Sequence, residues 1–188
     1  MDRNEILRYL RTSPGTDDER LLSLVDECME EVDRTVSPKT ITRVFDCTVT
    51  GDSLCIGDTV FRSKRLAQTV HGCDRVCLLG ATLGTECDRL LRTYSSIDIA
   101  KTAVLQAALA SKIEEVCDSV EDRLRAEGLH LRKRYSPGYF DLDIHEQTKI
   151  FSLLDITKRI GVTLTDTMQM IPTKSVTAII GIDDNEKN

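Results

Sequence analysis

Arg132-Lys133-Arg134-Tyr135-Ser136-Pro137-Gly138-Tyr139 joins a long helical pattern to a short helix-and-strand tail, and the reading of the fold starts here. Pro137 fixes its own φ near −65° and pushes Ser136 toward an extended conformation. Gly138 can adopt φ values closed to other residues and lets a ligand approach the main chain. Arg134 carries a planar fork that matches a carboxylate bidentately, and Tyr139 offers a flat apolar ring with a polar tip. A carboxylate clamp, an accessible backbone edge and an aromatic wall suit a zwitterionic, amino-acid-like ligand carrying a flat base. A Pro-Gly turn flanked by solvated arginines accounts for the same residues without any ligand.

Arg134-Tyr-Ser-Pro-Gly138-Tyr139 resembles the Arg-x-x-x-Gly-Tyr motif of the activation domain of cobalamin-dependent methionine synthase. The likeness continues through Asp141-Leu-Asp143, Gln147, Phe151-Ser-Leu-Leu154, Ile160-Gly161-Val-Thr-Leu-Thr165 and Pro172-Thr-Lys-Ser175-Val to Gly181-Ile182. It is fainter over residues 78–120 and does not extend convincingly before about residue 60. The resemblance implies an α+β fold, one domain over residues 1–188, with a mostly antiparallel twisted sheet flanked by helices. It implies S-adenosylmethionine as ligand, with Arg134 on the carboxylate, Ser136 and Gly138 supplying backbone contacts and Tyr139 lining the pocket. It places Gln106 where larger relatives carry an acidic residue that contacts the ligand's ammonium; an amide there brings no charge.

The same resemblance implies a function: reactivation of the synthase by reductive methylation of cob(II)alamin. Cobalamin is then held by a corrinoid-bearing methionine synthase module, and an electron-donor protein supplies the reducing equivalent. No side chain is expected to act as acid or base, because the sulfonium is already activated. Larger relatives continue into a segment with adjacent tyrosines near the corrinoid. That segment has no counterpart before Asn188, so ligand binding is implied more firmly than corrinoid contact. A sensor or carrier without methyl transfer, or a structural partner subunit, would use the same residues.

Composition narrows the classes. Hydrophobic residues make up 40% and charged residues 30% of 188, with a net charge of −6, as in a soluble globular chain and unlike a non-specific nucleic-acid or anionic-membrane binder. There is no apolar leader or membrane-length apolar run, so a cytoplasmic location is expected. The seven cysteines are scattered with no Cys-x-x-Cys pair, which argues against a disulfide framework, a zinc site or an iron–sulfur cluster. Cys73-x-x-x-Cys77 reads as part of a buried strand edge. Asp143-Ile-His145 begins like the cobalt-ligating Asp-x-His-x-x-Gly signature, but Thr148 stands where the glycine belongs, and Asp143-x-x-Glu146 reads as a capping box. His71 and His130 have no partner at triad or metal spacing, and no metal site is expected.

Along the chain, Asp2-x-x-Glu5 and Thr16-x-x-Glu19 predict helix starts, and Leu21, Leu22, Val25, Cys28, Met29 and Val32 form a core stripe ended by Ser37-Pro38. The acidic clusters at residues 17–19 and 30–31 read as solvated faces. Residues 40–50 and 54–61 predict a hairpin about Gly51-Asp52-Ser53, with Ser63 capping a brief helix. Residues 75–80 predict a buried strand. Residues 97–126 predict a long helix with Ala100, Val104, Ala108, Ile113, Val116, Cys117, Val120 and Leu124 inward and Gly128 as its C-terminal cap. A helix through Ile150, Phe151 and Leu154 follows the motif. Strands are expected at residues 162–165, 167–171 and 175–182, the last central, with residues 183–188 as a frayed tail.

Overall fold

Two adjacent runs, Arg75–Thr82 and Ser175–Ile182, are buried on both faces, and the architecture follows from that. A computed structural model describes residues 1–12 and 15–183; most of the expected tail lies outside the described residues. The helices are α1 (Arg3–Tyr9), α2 (Glu19–Thr35), α3 (Lys64–Thr69), α4 (Glu86–Tyr94), α5 (Ile99–Ala126), α6 (Gln147–Leu154) and α7 (Ile156–Ile160). The strands are β1 (Lys39–Asp46), β2 (Thr48–Thr50), β3 (Ser53–Ile56), β4 (Thr59–Arg62), β5 (Arg75–Thr82), β6 (Thr163–Leu164), β7 (Met170–Ile171) and β8 (Ser175–Ile182).

The main sheet has the order β1-β5-β8 and is antiparallel throughout, with Lys39 opposite Thr82 and Arg75 opposite Ile182. Because strand side chains alternate, Cys77, Leu79, Ala81, Ala178, Ile180 and Ile182 face a core shared with α1, α2, α4 and α5. Val76, Leu78 and Ile179 face a second core, shared with β3, β4, α3, α6 and α7. The sheet is thus a septum between two cores, and its inner strands read as continuous apolar runs for that reason. The predicted α+β architecture, antiparallel sheets flanked by helices, is the one observed.

Five local expectations are corrected. Residues 54–61 are not one strand, because Gly57, at φ +55°, and Asp58 form a further tight turn, giving the meander β2-β3-β4. Residues 39–46 meanwhile pair with β5 instead of with that meander. Strand β5, not β8, is central; the outer edge of β8 takes bridges from Leu131 and Tyr135. The α2 cap is Asp18, whose carboxylate accepts from the amides of Arg20 and Leu21, both at 3.1 Å, so the helix begins later than Thr16 predicts. Ala100 is exposed at the first turn of α5, whereas Val104, Ala108, Ile113, Cys117, Val120 and Leu124 are buried. Asp98 caps that helix by accepting from the Lys101 amide at 2.8 Å. Among the described residues no helix is long and apolar enough to cross a membrane.

Candidate functional site

The edge of β8 sets the site. Tyr135 exchanges backbone hydrogen bonds with Ile179 at 2.9 and 2.8 Å, and the Arg132 amide donates to the Gly181 carbonyl at 2.9 Å. Residues 131–135 therefore lie along the sheet as an extended edge. Alternation then sends neighbouring side chains to opposite sides. Tyr135 enters the second core, and Arg134 turns to α5.

Arg134 is held there by three carboxylates on one helix face, spaced i, i+4, i+7. Its Nη2 donates to Glu114 at 2.6 Å and its Nη1 to Asp118 at 2.8 Å and to Glu121. Burial opposes the Arg134 charge, but the hydrogen bonds to Asp118, Glu114 and Glu121 outweigh it and raise the guanidinium's pKa above its ordinary value. A guanidinium has five N–H donors, so two remain after these three bonds. Glu121 is shared, accepting also from Arg125 at 2.7 Å.

The next residues turn sharply. The Tyr139 amide donates to the Ser136 carbonyl at 3.3 Å, and the Gly138 amide to the Leu142 carbonyl at 2.8 Å. Gly138 has φ +88°, and a Cβ there would lie 3.0 Å from Ile144 Cδ1. Asp141 ties the turn to α3: its carboxylate accepts from the Ser63 hydroxyl at 2.5 Å and the Arg65 amide at 3.2 Å. Ser63 in turn accepts from the Leu66 amide at 2.9 Å as the cap of α3. The Phe140 ring stacks on Tyr135 with centroids 5.9 Å apart and lies under the Arg65 guanidinium at 5.4 Å.

These elements enclose a cleft of about 610 Å³, within the range of small-molecule sites. One wall is Arg134, Tyr135, Ser136, Pro137, Tyr139 and Phe140; Glu114 of α5 stands beside Arg134. The β6–β7 turn contributes Met168, Gln169 and Met170, and β8 contributes Ser175, Val176 and Thr177. Gln147, only 2% exposed, joins these two parts by donating to the Met168 carbonyl at 3.1 Å and accepting from the Thr177 hydroxyl at 3.3 Å. Thr173 is fixed to α4 through its amide, which donates to Asp88 at 3.1 Å.

Of the residues singled out in the sequence, Arg134, Ser136 and Tyr139 line the cleft, and Gly138 shapes its wall with an amide already donated to Leu142. Gln106 is not brought to it. It is exposed on α5, eight residues before Glu114, or about 12 Å along a helix, and its carbonyl accepts from Lys174 Nζ at 3.2 Å. Glu114 escaped sequence reasoning; its signal was the spacing of Glu114, Asp118 and Glu121 on one helix face upstream of an arginine-rich edge. His145 stands exposed beside Asp143, its Nδ1 at 2.7 Å from the carboxylate, which also accepts from the His145 amide at 2.8 Å as predicted for a cap.

None of the seven cysteines is joined in a disulfide, and burial pushes Cys28, Cys47, Cys77 and Cys87 up to about 11 and Cys117 up to about 12, which keeps those five protonated at neutral pH. Among the described residues no group of three or more His, Cys, Asp and Glu is arranged for a metal ion.

The Asp141–Ser63 contact makes the wall sensitive to acid. The Ser63 hydroxyl, and after it the Arg65 amide, hold the Asp141 carboxyl below its ordinary value of 3.8. A depressed folded value means that the contribution is present above the unfolded value and is lost as the pH falls through the folded one. Tyrosine fluorescence from Tyr135 should therefore change in strong acid while the far-UV signal persists. Ser63→Ala should shift that step to higher pH and cost about 1 kcal/mol through the lost cap. An unshifted acid step in Ser63→Ala would show that Asp141 is not held by Ser63.

This is an α+β domain with a small-molecule cleft walled by a paired arginine and an aromatic turn. The model of the vitamin B12 dependent methionine synthase activation domain matches residues 49–187, and the chain belongs to that family. A solved structure described as the MetH reactivation domain bound to AdoHcy superposes with a TM-score of 0.72 at 18% identity, covering 96% of this chain and 70% of that one. That likeness shows that the fold is shared. A search of curated protein sequences finds no match.

Proposed function

We propose that the cleft binds S-adenosylmethionine and presents its methyl group to a corrinoid held by a partner methionine synthase module. The observation that carries this reading is the Arg134–Glu114 pair, 2.6 Å apart, on the wall of a cleft built by the Arg134–Tyr139 motif. The two N–H donors left on Arg134 meet the ligand carboxylate, and Glu114 meets its ammonium. A zwitterion thereby completes a charge pattern that the protein already holds in place. Ser136 supplies backbone polarity, and the Tyr139 and Phe140 rings flank the flat base. Gln106, expected at the ammonium, has no part in this assignment.

When bound, the ligand supplies an activated methyl group; with one electron from a donor protein, cob(II)alamin becomes methylcobalamin and S-adenosylhomocysteine is left. The chain's share is to bind and orient, an effect of proximity. Tyr139 and Phe140 are 65% and 81% exposed beside the cleft, and they form the side that faces the partner.

Calorimetry with S-adenosylmethionine tests binding. The absorbance change from cob(II)alamin to methylcobalamin tests transfer: slow or absent with free corrinoid and a reductant, and restored by adding a corrinoid-bearing methionine synthase. His145→Ala should leave the corrinoid spectrum unchanged. Efficient methylation by the isolated chain, or a cobalt spectrum that shifts in His145→Ala, would overturn this division of labour. Binding without transfer in the presence of the partner would leave a sensor or carrier.

A further inference from the structure

Resting on that reading, we infer that the carboxylates around Arg134 select the ligand by its charge, favouring the sulfonium over the neutral thioether that remains after transfer. Glu114, Asp118 and Glu121 all bond to Arg134, and Arg125 is divided between Glu121 and Asp122, its Nη1 donating to the latter at 3.0 Å. Four carboxylates thus face two guanidiniums, and the cluster on α5 behind Arg134 carries an excess of two negative charges. No other cation pairs with Glu114 or Asp118 among the described residues. Lining the cleft itself, Glu114 and Arg134 are the charged residues and cancel. At the rim the Arg65 guanidinium lies over the Phe140 ring, and the Asp141 carboxylate accepts from the Arg65 amide.

The selection has a direct chemical consequence. S-adenosylmethionine bears one net positive charge at neutral pH: carboxylate, ammonium and sulfonium. Loss of the methyl cation leaves a neutral zwitterion with the same polar groups and the same base. Arg134 and Glu114 treat the two zwitterions alike, so they contribute equally to both complexes. The surplus carboxylates distinguish them, because only the sulfonium interacts with that excess. The reacting charge is removed in the transfer itself, so the same wall that draws in the methyl donor weakens its hold on the product.

The test is a set of equilibrium titrations of the whole chain with S-adenosylmethionine, S-adenosylhomocysteine and sinefungin, which bears an ammonium near the sulfonium position and cannot be demethylated. A unit charge near an uncompensated carboxylate at intermediate dielectric predicts that both cations bind about three- to tenfold tighter than S-adenosylhomocysteine at low salt. The ratio should fall below about twofold near 1 M salt, where the screening length is about 3 Å. Asp118→Asn removes one charge from a side chain that is 64% exposed, with Arg134 still held by Glu114 and Glu121. It should lower the ratio mainly by weakening the two cations. Equal affinity for all three ligands, or a ratio unmoved by both salt and Asp118→Asn, would overturn charge selection while leaving the binding site in place. Failure of all three to bind would overturn the reading beneath it as well.

Discussion

Arg134→Ala should reduce S-adenosylmethionine affinity at least tenfold and also destabilise the folded chain by about 2–3 kcal/mol. The first effect follows from losing a charged pair to the ligand carboxylate, worth about 1.5–3 kcal/mol. The second comes from the three carboxylates left behind. Glu114, Asp118 and Glu121 share one face of α5, and Glu121 is only 8% exposed. Removing one member of a buried charged group costs about 3–5 kcal/mol, reduced here because Glu114 and Asp118 are partly screened by water. An arginine placed only as a ligand clamp would give the first effect without the second. Arg134→Lys should restore part of the stability and little of the binding, because an ammonium cannot span three carboxylates and still offer a fork. Urea unfolding and calorimetry on the same samples separate the two. Full ligand affinity in Arg134→Ala would remove the clamp from the site.

Gly138→Val should abolish ligand binding. At φ +88° a β-branched residue is strongly disfavoured, and its Cβ would also lie 3.0 Å from Ile144 Cδ1. The turn then opens, the Gly138 amide loses the Leu142 carbonyl, and Ser136 and Tyr139 move off the cleft wall. Gly138→Ala should show the same fault in weaker form, at about 1–2 kcal/mol of backbone strain. Ile144→Ala combined with Gly138→Ala relieves the contact but not the dihedral, so it should rescue only in part. Tyr139→Phe keeps the ring and should cost little, since the phenol ring is 65% exposed. Normal binding by Gly138→Val, measured by calorimetry, would show that the turn geometry is not needed for the ligand.

Much of this chain was legible in its residues because the signals are local. The periodic burial of α5, the Asp2, Ser63 and Asp143 caps and the turn at Gly138 each depend on residues within a few positions, where backbone sterics and hydrogen-bond reach decide the outcome. The motif at Arg134, Ser136 and Tyr139 pointed to the wall of the cleft through its resemblance to the activation-domain motif, since its residues alone also fit a plain Pro-Gly turn.

The partners of those segments were not legible. Residues 39–46 could pair with the following hairpin or with β5, and the choice rests on two cores that must both be closed by one sheet. Strand β8 looked central from its composition, yet apolar residues on both faces report burial and not position in the sheet; the edge at residues 131–135 covers it. Arg134 looked like a free clamp. Only the strand alternation that sets Tyr135 into one core and Arg134 against α5 brings Glu114, Asp118 and Glu121 around it. The sequence alone determined most of the turns, caps and inward faces, because those depend on nearest neighbours along the chain, though the turn at Gly57, the Asp18 cap and the exposure of Ala100 escaped it. The tertiary structure decided which charges meet, because the strength of an ion pair depends on distance and burial, and residues 13 to 20 apart in sequence acquire both only when the edge docks on the sheet.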